Sequence, residues 1–255
     1  MSVVTIETPQ AGIARLAINR PDKRNAINPE TREALIEGIG GLLADDDVHC
    51  IILGSTDGHF CSGGDITSMD KLDVRAARVR MQQNHRLVRL LLEAEKPVIA
   101  AIEGFAVGAG AGLAMLADTI VLAESGTIGF PFFRVGLTPD YGILYTLPRR
   151  VGAARARGIL FHAAMLRGAD AIDAGLADEL VPDGKAEERG LALALSLAAM
   201  PPHAFGLVKR HLAMAPLSLE STLEMEAMAQ SLGFNGPEFA EGRAAFADKR
   251  KPNFR

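Results

Sequence analysis

An apolar run followed by closely spaced glycines limits the folds open to this chain more than any other feature. Residues 98–102 read Val-Ile-Ala-Ala-Ile, which is typical of a buried parallel strand. Glycine allows sharp turns and leaves main-chain N–H groups accessible to a ligand, above all where a helix begins. The segment predicts a strand, a turn and a helix, with a turn that polarises a carbonyl oxygen. The glycines of this turn are Gly104, Gly108, Gly110 and Gly112.

The composition of the chain is that of an ordinary soluble protein. Of its 255 residues, 48% are hydrophobic and 23% are charged, which fits one large domain or two small ones. The net charge of -4 gives no reason to expect nucleic acid or an anionic membrane as a partner. Cys50 and Cys61 are too few for a disulfide framework, the N-terminus lacks the pattern of a secretory signal, and no apolar stretch is long enough to span a bilayer. We therefore expect a cytoplasmic protein.

The order of the predicted elements indicates an α/β fold. Alternating residues predict a hairpin of strands at 3–8 and 13–18, and Asn28 followed by Pro29 is a good helix start. The first two-thirds of the chain alternates strand and helix, whereas the last third is helical, which favours an α/β core with a helical C-terminal layer. Further strands are predicted at 48–53, 119–123 and 127–129, and helices at 70–95, 149–160, 169–174, 185–200, 202–213, 218–231 and 237–247.

Common cofactor and catalytic motifs are missing from the sequence. The glycine turn lacks the third small residue of G-x-G-x-x-G and the later acidic residue, so we expect no NAD binding. There is no G-x-x-x-x-G-K-[ST], and Ser62 does not lie in G-x-S-x-G. His59 and Cys61 are close together, but the histidines and cysteines do not have the spacing of a metal site. The sequence implies no metal.

Two glycine-containing segments follow predicted parallel strands. Phe-Cys-Ser-Gly-Gly-Asp-Ile at 60–66 comes after the strand at 51–53, and the glycine turn at 104–112 comes after the strand at 98–102. Ligands of open α/β sheets bind at the carboxyl ends of parallel strands. Either turn alone is a weak signal, because glycine turns are common connections. Together the two turns could direct paired N–H donors at one oxygen.

These segments belong to a set of motifs that resembles the crotonase superfamily, also called the enoyl-CoA hydratase/isomerase family. The resemblance covers essentially the whole chain and implies a crotonase-like spiral of ββα units at 1–195, with a helical trimerisation region at 196–255. It implies an acyl-CoA thioester as substrate, no cofactor beyond the coenzyme A of that substrate, and a homotrimer or a hexamer made of two trimers. The motifs are NRPDKRNA at 19–26, FCSGGDI at 60–66, KPVIAAIEGFAVGAG at 96–110, GLA at 175–177 and EGRAAFADKRKP at 241–252.

The resemblance also implies roles for particular residues. In the family the thioester oxygen accepts hydrogen bonds from two backbone N–H groups, which match Gly64 and Ala109 here. The hydratases of the family use two glutamates, and those places are taken by Gly112 and Phe132. Because hydration needs a pair of carboxylates to activate water and to deliver a proton, ordinary hydration is expected to be disabled.

One carboxylate remains at a place that resembles the acidic residue of the family's isomerases and the nucleophilic aspartate of its aryl-CoA dehalogenases. Asp140 precedes a predicted helix, so a helix N-cap is the alternative role. As a catalyst, Asp140 would remove a Cα proton from a 3-enoyl-CoA and return it at Cγ. Neighbouring aromatic residues would raise its pKa by desolvation, or they would be plain core. They are Phe130, Phe132, Phe133, Tyr141 and Tyr145.

The remaining binding residues are predicted from the same motifs. Lys23 and Arg24 in the early loop, and Lys249 with Arg250 near the C-terminus, would attract the phosphates of coenzyme A, with a solvated surface as the alternative. Asp65 is predicted to hold the adjacent turn through local backbone bonds. The other predicted substrate contacts are Cys61, Gly63, Asp65, Ile66, Phe105, Gly108, Phe132, Pro139 and Tyr141. Five arginines of the helix at 70–95 are predicted to lie on a solvated face: Arg75, Arg78, Arg80, Arg86 and Arg89.

The leading interpretation is an acyl-CoA isomerase, and three alternatives stay open. The chain could be a hydratase or could perform another crotonase reaction, such as dehalogenation, with unusual acids. It could also be a non-catalytic acyl-CoA binder or scaffold, or an RNA-binding relative. The net charge of -4 weighs against RNA, and the presence of Asp140 weighs against an inactive enzyme.

Overall fold

The computed structural model describes residues 2–70, 72–214 and 217–255, which form two β-sheets with helices packed around them. The chain begins with the predicted antiparallel hairpin, in which Val4 pairs with Ile18. The strands of the described residues, in chain order, are β1 (Val4–Gln10), β2 (Ile13–Ile18), β3 (Cys50–Gly54), β4 (Val98–Ile102), β5 (Phe105–Val107), β6 (Thr119–Ala123), β7 (Thr127–Gly129), β8 (Met165–Arg167) and β9 (Glu179–Val181).

The larger sheet has the strand order β1-β2-β3-β4-β6-β9. From β2 onward its strands are parallel, with Ile51 opposite Val98 and Ile99 opposite Thr119. Every residue of β3 and β4 is buried, which explains why these strands are continuous apolar runs and do not alternate. Because β3 and β4 are neighbours and run the same way, the segments that follow them leave the sheet at the same edge.

The helices of the described residues cover this sheet and form most of the C-terminal part. The first of them, α1, begins where the sequence predicted, because the Asn28 side chain accepts a hydrogen bond of 2.8 Å from the backbone N–H of Thr31. In chain order the helices are α1 (Pro29–Ala44), α2 (Val74–Leu92), α3 (Ala109–Ala114), α4 (Ile143–Val151), α5 (Ala153–Phe161), α6 (Gly168–Asp173), α7 (Ala186–Ala198), α8 (Pro202–Ala213), α9 (Leu219–Phe234) and α10 (Pro237–Asp248).

No single helix among these residues has the length and apolarity to cross a membrane. The pair α7 and α8 meets those two criteria together, although the chain bends by 110° between them.

The structure corrects several predicted elements. The glycine turn contains a short strand, β5, which pairs in parallel with β7 in a second sheet that β8 completes. The helix predicted at 149–160 is two helices, α4 and α5, because Gly152 between them has φ 81°. The helix predicted at 70–95 is shorter, since Asp73 caps α2 through a 2.7 Å bond from Ala76 N–H.

The C-terminal region is helical, as predicted. Its helix α8 is attached to the sheet by Lys209, whose Nζ donates to Asp118 Oδ2 at 2.6 Å and to the carbonyl of Lys96 at 3.0 Å. Helix α7 crosses the predicted division at 195/196, and the division into a core and a separate region stays a prediction. Trimerisation also stays a prediction, and the exposed apolar residues of the last two helices are where we expect it: Leu219, Leu223, Met228, Leu232, Phe234 and Phe246.

Candidate active site

The two glycine turns lie against each other at the edge of the sheet. The backbone N–H of Cys61 donates to Phe105 O at 2.7 Å, and the N–H of Val107 donates back to Cys61 O at 3.0 Å. A Cβ added to Gly63 would be 3.1 Å from Val107 O, and one added to Gly108 would be 3.9 Å from the Gly63 Cα. The small residues therefore allow the two backbones to approach closely, which places the residues after them side by side.

Among the described residues, the backbone N–H groups of Gly64 and Ala109, which come next in the two turns, donate no hydrogen bond to another backbone group. Gly64 forms a parallel bridge with Ile27, in which Ile27 N–H donates to Gly63 O at 2.8 Å and Asp65 N–H donates to Ile27 O at 2.9 Å. The N–H of Gly64 itself therefore points away from Ile27. Ala109 is the first residue of α3, so its N–H has no acceptor within the helix. The two N–H groups therefore lie in segments that pack against each other, and their pairing on one oxygen stays a prediction.

Asp140 lies in the segment just before α4. Its Oδ2 accepts a 3.2 Å hydrogen bond from Asn84 Nδ2, while its buried Oδ1 has no hydrogen-bond partner among the described residues. Burial raises the pKa of Asp140 to about 6, although the positive charge of Arg80 and the Asn84 hydrogen bond both favour the carboxylate. A buried carboxylate with one oxygen held and the other without a partner among the described residues, and with a pKa of about 6, is suited to accept and return a proton.

The helix-cap alternative for Asp140 is wrong. The N-cap of α4 is Gly142, and no side chain caps that helix. Tyr141 and Gly142 both have left-handed backbone conformations, with φ of 50° and 75°, which turn the chain sharply between Asp140 and the helix. Asp140 is therefore held to one side of α4 by the turn, and its side chain contacts α2.

The aromatic residues predicted near Asp140 differ in their burial. Phe130, Phe132 and Tyr141 are buried, whereas Phe133 is 48% exposed. The Tyr145 hydroxyl donates to the carbonyl of Ala213. Burial, together with the charge of Asp140, raises the pKa of Tyr141 above its usual range, so its hydroxyl stays neutral.

A cavity of about 390 Å³ lies between α1, α2 and the segment after the first glycine turn. It is lined by Arg32 and Arg80, and Arg80 Nη1 donates to Ser68 Oγ at 3.4 Å. The Nη2 atom of Arg80 lies 3.9 Å from the position that a Cβ on Gly64 would occupy. The predicted solvated face of this helix is therefore wrong for Arg80, which is half-buried beside the paired donors. The other four arginines of that set are exposed.

Gly112 faces the segment that carries Asp140. A Cβ added at Gly112 would overlap the Cβ of Tyr141 and would lie 3.4 Å from Ile143 Cδ1. A side chain at Gly112, the place that the resemblance assigns to the first hydratase glutamate, would therefore displace Tyr141. The place of the second, Phe132, is 9% exposed and packs in the core.

We expect Gly112→Ala to lower the free energy of unfolding by about 1–3 kcal/mol, because the new methyl group would overfill the contact with Tyr141. Gly158 is a matched control, since it is also a helical glycine but has no atom within 4 Å of an added Cβ. Gly158→Ala should raise the stability by about 0.5–1 kcal/mol. Chemical denaturation of the two variants measures the difference, and equal effects would contradict the crowding at Gly112.

Some predicted contacts support the turns. Cys61 is fully buried and accepts a 3.4 Å bond from Gly63 N–H, and burial raises the pKa of its thiol to about 12. Asp65 was predicted to hold the adjacent glycine turn, but its side chain has other partners. Instead it caps a 3₁₀ helix (Ile66–Met69) by accepting from Thr67, and it pairs with Arg20 at 3.1 Å. Those Thr67 bonds and Arg20 lower the pKa of Asp65 although burial opposes them.

The remaining predicted substrate contacts are exposed or half-buried. The basic loop lies beside the first glycine turn, because Ser62 N–H donates to Arg24 O at 3.0 Å and Ser62 Oγ donates to Lys23 O at 3.2 Å. Both basic side chains are exposed, as are Ile66 and Lys249 at the end of α10. Phe105 stacks on His59 at 5.1 Å, and Pro139 is half-buried next to Asp140. Substrate contact by these residues stays a prediction.

The sequence matches the Enoyl-CoA hydratase/isomerase family over residues 8–255. It is 32% identical over 250 residues to 1,2-epoxyphenylacetyl-CoA isomerase of Escherichia coli strain K12, covering 96% of this chain and 95% of the relative. It is 34% identical over 255 residues to crotonyl-CoA hydratase of Syntrophomonas wolfei, covering 95% and 94%. A solved enoyl-CoA hydratase from Polaromonas sp. JS666 superposes with a TM-score of 0.93 at 26% identity, covering 99% of each chain.

The α/β fold, the two glycine turns and these matches define one class of protein. The chain belongs to the enoyl-CoA hydratase/isomerase family, within the crotonase superfamily. The resemblance read from the sequence motifs is therefore confirmed.

Proposed function

We propose that this protein isomerises the double bond of an enoyl-CoA thioester, from 3-enoyl to 2-enoyl or in a ring-bearing acyl group, with Asp140 carrying the proton. One observation supports this proposal more than any other. Asp140 has a buried oxygen with no partner among the described residues, whereas the two hydratase positions are a crowded glycine and a buried phenylalanine.

The chemistry follows from these groups. Oδ1 of Asp140 takes the Cα proton, and the electrons of that C–H bond move onto the thioester oxygen, giving a dienolate. The N–H groups of Gly64 and Ala109 bind that oxygen and stabilise its charge without reorganising. Asp140 then returns the proton to Cγ, and the double bond forms between Cα and Cβ. Negative charge passes from Asp140 to the oxygen and back, so the net charge of the site does not change.

The names of the relatives include both reactions of the family, isomerisation and hydration. The relative from Escherichia coli is an isomerase of an acyl-CoA, and the relative from Syntrophomonas wolfei is a hydratase. Hydration requires two carboxylates that act on water and on Cα, and Gly112 leaves no space for the first of them. We therefore favour isomerisation for this chain.

Turnover of matched substrates tests the proposal. Purified protein is given 3-enoyl-CoA and 2-enoyl-CoA thioesters of several chain lengths, and the products are separated and identified. We expect 3-enoyl-CoA to become 2-enoyl-CoA, and 2-enoyl-CoA to gain no water. Hydration of 2-enoyl-CoA at a rate comparable with isomerisation would overturn the proposal, and no turnover of any thioester would favour a binding protein.

The pH dependence of kcat/KM should report Asp140. The carboxylate is the active form, and burial raises its pKa to about 6, so activity should fall about tenfold for each pH unit below pH 6. An ordinary aspartate would stay active to about pH 4. Steady-state rates between pH 4.5 and 8, with unfolding monitored in parallel, measure this limb. An acid limb centred near pH 4 would contradict the assignment.

A further inference from the structure

We propose, resting on the function above, that Asn84 is a positioning residue for Asp140 and that Arg32 fixes the direction in which the Asn84 amide points. The three side chains come from different parts of the fold: Arg32 from α1, Asn84 from α2, and Asp140 from the segment before α4. They form a chain of two hydrogen bonds that ends at the proposed proton carrier.

The hydrogen bonds fix the orientation of the amide. Arg32 Nη1 donates to Asn84 Oδ1 at 3.2 Å, and Asn84 Nδ2 donates to Asp140 Oδ2 at 3.2 Å. A guanidinium only donates hydrogen bonds, and a carboxylate only accepts them. If the amide turned over, its NH₂ would face the guanidinium and its oxygen would face the carboxylate. Arg32 therefore selects the one orientation in which Asn84 donates to Asp140.

Packing alone does not account for Arg32. Its side chain is 2% exposed, its Nε has no hydrogen-bond partner, and it forms no ion pair among residues 2–70, 72–214 and 217–255. A buried cation without a paired carboxylate is costly, and an apolar residue of similar volume would serve the core better. The hydrogen bond from Arg32 to Asn84 gives the guanidinium a function, because Arg32 orients the amide that donates to Asp140.

The bonds divide the two oxygens of Asp140 between different tasks. Oδ2 is held by Asn84, and Oδ1 has no partner among the described residues. Held at one oxygen, the carboxylate has little freedom to rotate, so the unpartnered oxygen keeps a fixed position. Fixing a reacting group in this way avoids an entropic cost when the proton moves.

Other charged and titratable groups also act on Asp140. Arg80 lies one helical turn before Asn84 on α2, Arg32 approaches from α1, and Tyr141 follows in the chain. Both arginines favour the carboxylate, whereas burial opposes it. Because Asn84 donates to the charged form, its removal should shift the titration of Asp140 to higher pH while these other groups remain.

Two measurements on the same variants test this inference. We expect Asn84→Leu to move the acid limb of the kcat profile up by about one pH unit and to lower kcat at pH 7 by about tenfold, with KM changed less than about threefold. Arg32→Met should also move the acid limb to higher pH and lower kcat, and Arg32→Lys should restore part of the lost kcat. Gln82→Leu, on the exposed face of the same helix, is the control and should change neither.

The second measurement does not depend on turnover. The carboxyl carbon of Asp140 is titrated by NMR in protein with ¹³C-labelled aspartate, and its signal is assigned by its loss in Asp140→Asn. A shift to higher pH in Asn84→Leu supports the positioning role even if the wild-type protein isomerises nothing, in which case only the proposed function fails. Asn84→Ser, which is smaller and polar, replaces Asn84→Leu if that variant does not fold. An unchanged titration in a folded variant, or equal behaviour of Arg32→Lys and Arg32→Met, would overturn the inference.

Discussion

Replacing Asp140 by asparagine should reduce kcat for isomerisation of 3-enoyl-CoA by about 10²–10⁴-fold, the usual contribution of a positioned acid or base. Asparagine has nearly the same shape as aspartate, so the turn at Tyr141 and Gly142 should persist. The amide cannot accept a proton from Cα at neutral pH, and KM should therefore change little compared with kcat. Steady-state kinetics of the purified variant measure both constants.

Asp173→Asn is the matched control for this variant. Asp173 is exposed at the end of α6, outside the residues assigned to the site, and the same chemical change there should leave kcat within about twofold. An Asp140→Asn protein that is folded and isomerises at the wild-type rate would remove Asp140 from the mechanism.

Ala109→Pro should lower kcat by about 10²–10³-fold, because proline removes one of the two N–H donors to the thioester oxygen. Proline is the one residue that lacks a backbone N–H, and inside a helix it usually breaks the helix. Ala109 is the first residue of α3, the position where proline is best tolerated since the helix does not need that N–H. The variant should therefore fold and bind the thioester while its chemical step is slow.

The chain contains a close match for this change. Ala153 is the first residue of α5, is exposed, and follows a glycine with positive φ, as Ala109 does: Gly152 has φ 81° and Gly108 has φ 55°. Ala153→Pro should leave kcat within about twofold. If both proline variants have wild-type kcat, the oxygen is not held by Ala109; if both lose activity equally, the effect is one of folding.

The residues of the proposed site were named from local sequence. Gly64 and Ala109 lie in glycine turns whose motifs are contiguous, and Asp140 stands alone where the family has an acid. Each is recognised by a short motif in its own segment of the chain. The direction of the pKa shift of Asp140 was predicted correctly, because burial raises this pKa.

The residues around Asp140 could not be predicted in the same way. Asn84 lies 52 positions from Arg32 and 56 from Asp140, so only the packing of three separate elements brings the side chains together. Arg80 is one of several arginines on a helix, where solvation is the ordinary outcome, and nothing in the helical pattern distinguishes it. A polar Asn84 on the same face as buried Leu87 and Leu91 is the one sequence signal that could have indicated a buried contact.

Short elements were also missed for a physical reason. Strand β5 has three residues, too few for alternation to be visible, and it forms because β7 supplies a parallel partner. The break between α4 and α5 lies at Gly152, whose positive φ of 81° ends one helix and begins the next.

Isotope labelling of the product tests the central claim most directly. The wild-type protein is incubated with a 3-enoyl-CoA in water enriched in ¹⁸O, and the thioester products are analysed by mass spectrometry. If one carboxylate moves a proton between two carbons, the product is a 2-enoyl-CoA of unchanged composition that contains no ¹⁸O. Accumulation of an ¹⁸O-labelled 3-hydroxyacyl-CoA would show that water is added, and would contradict the account of Asp140 as the carrier of a single proton.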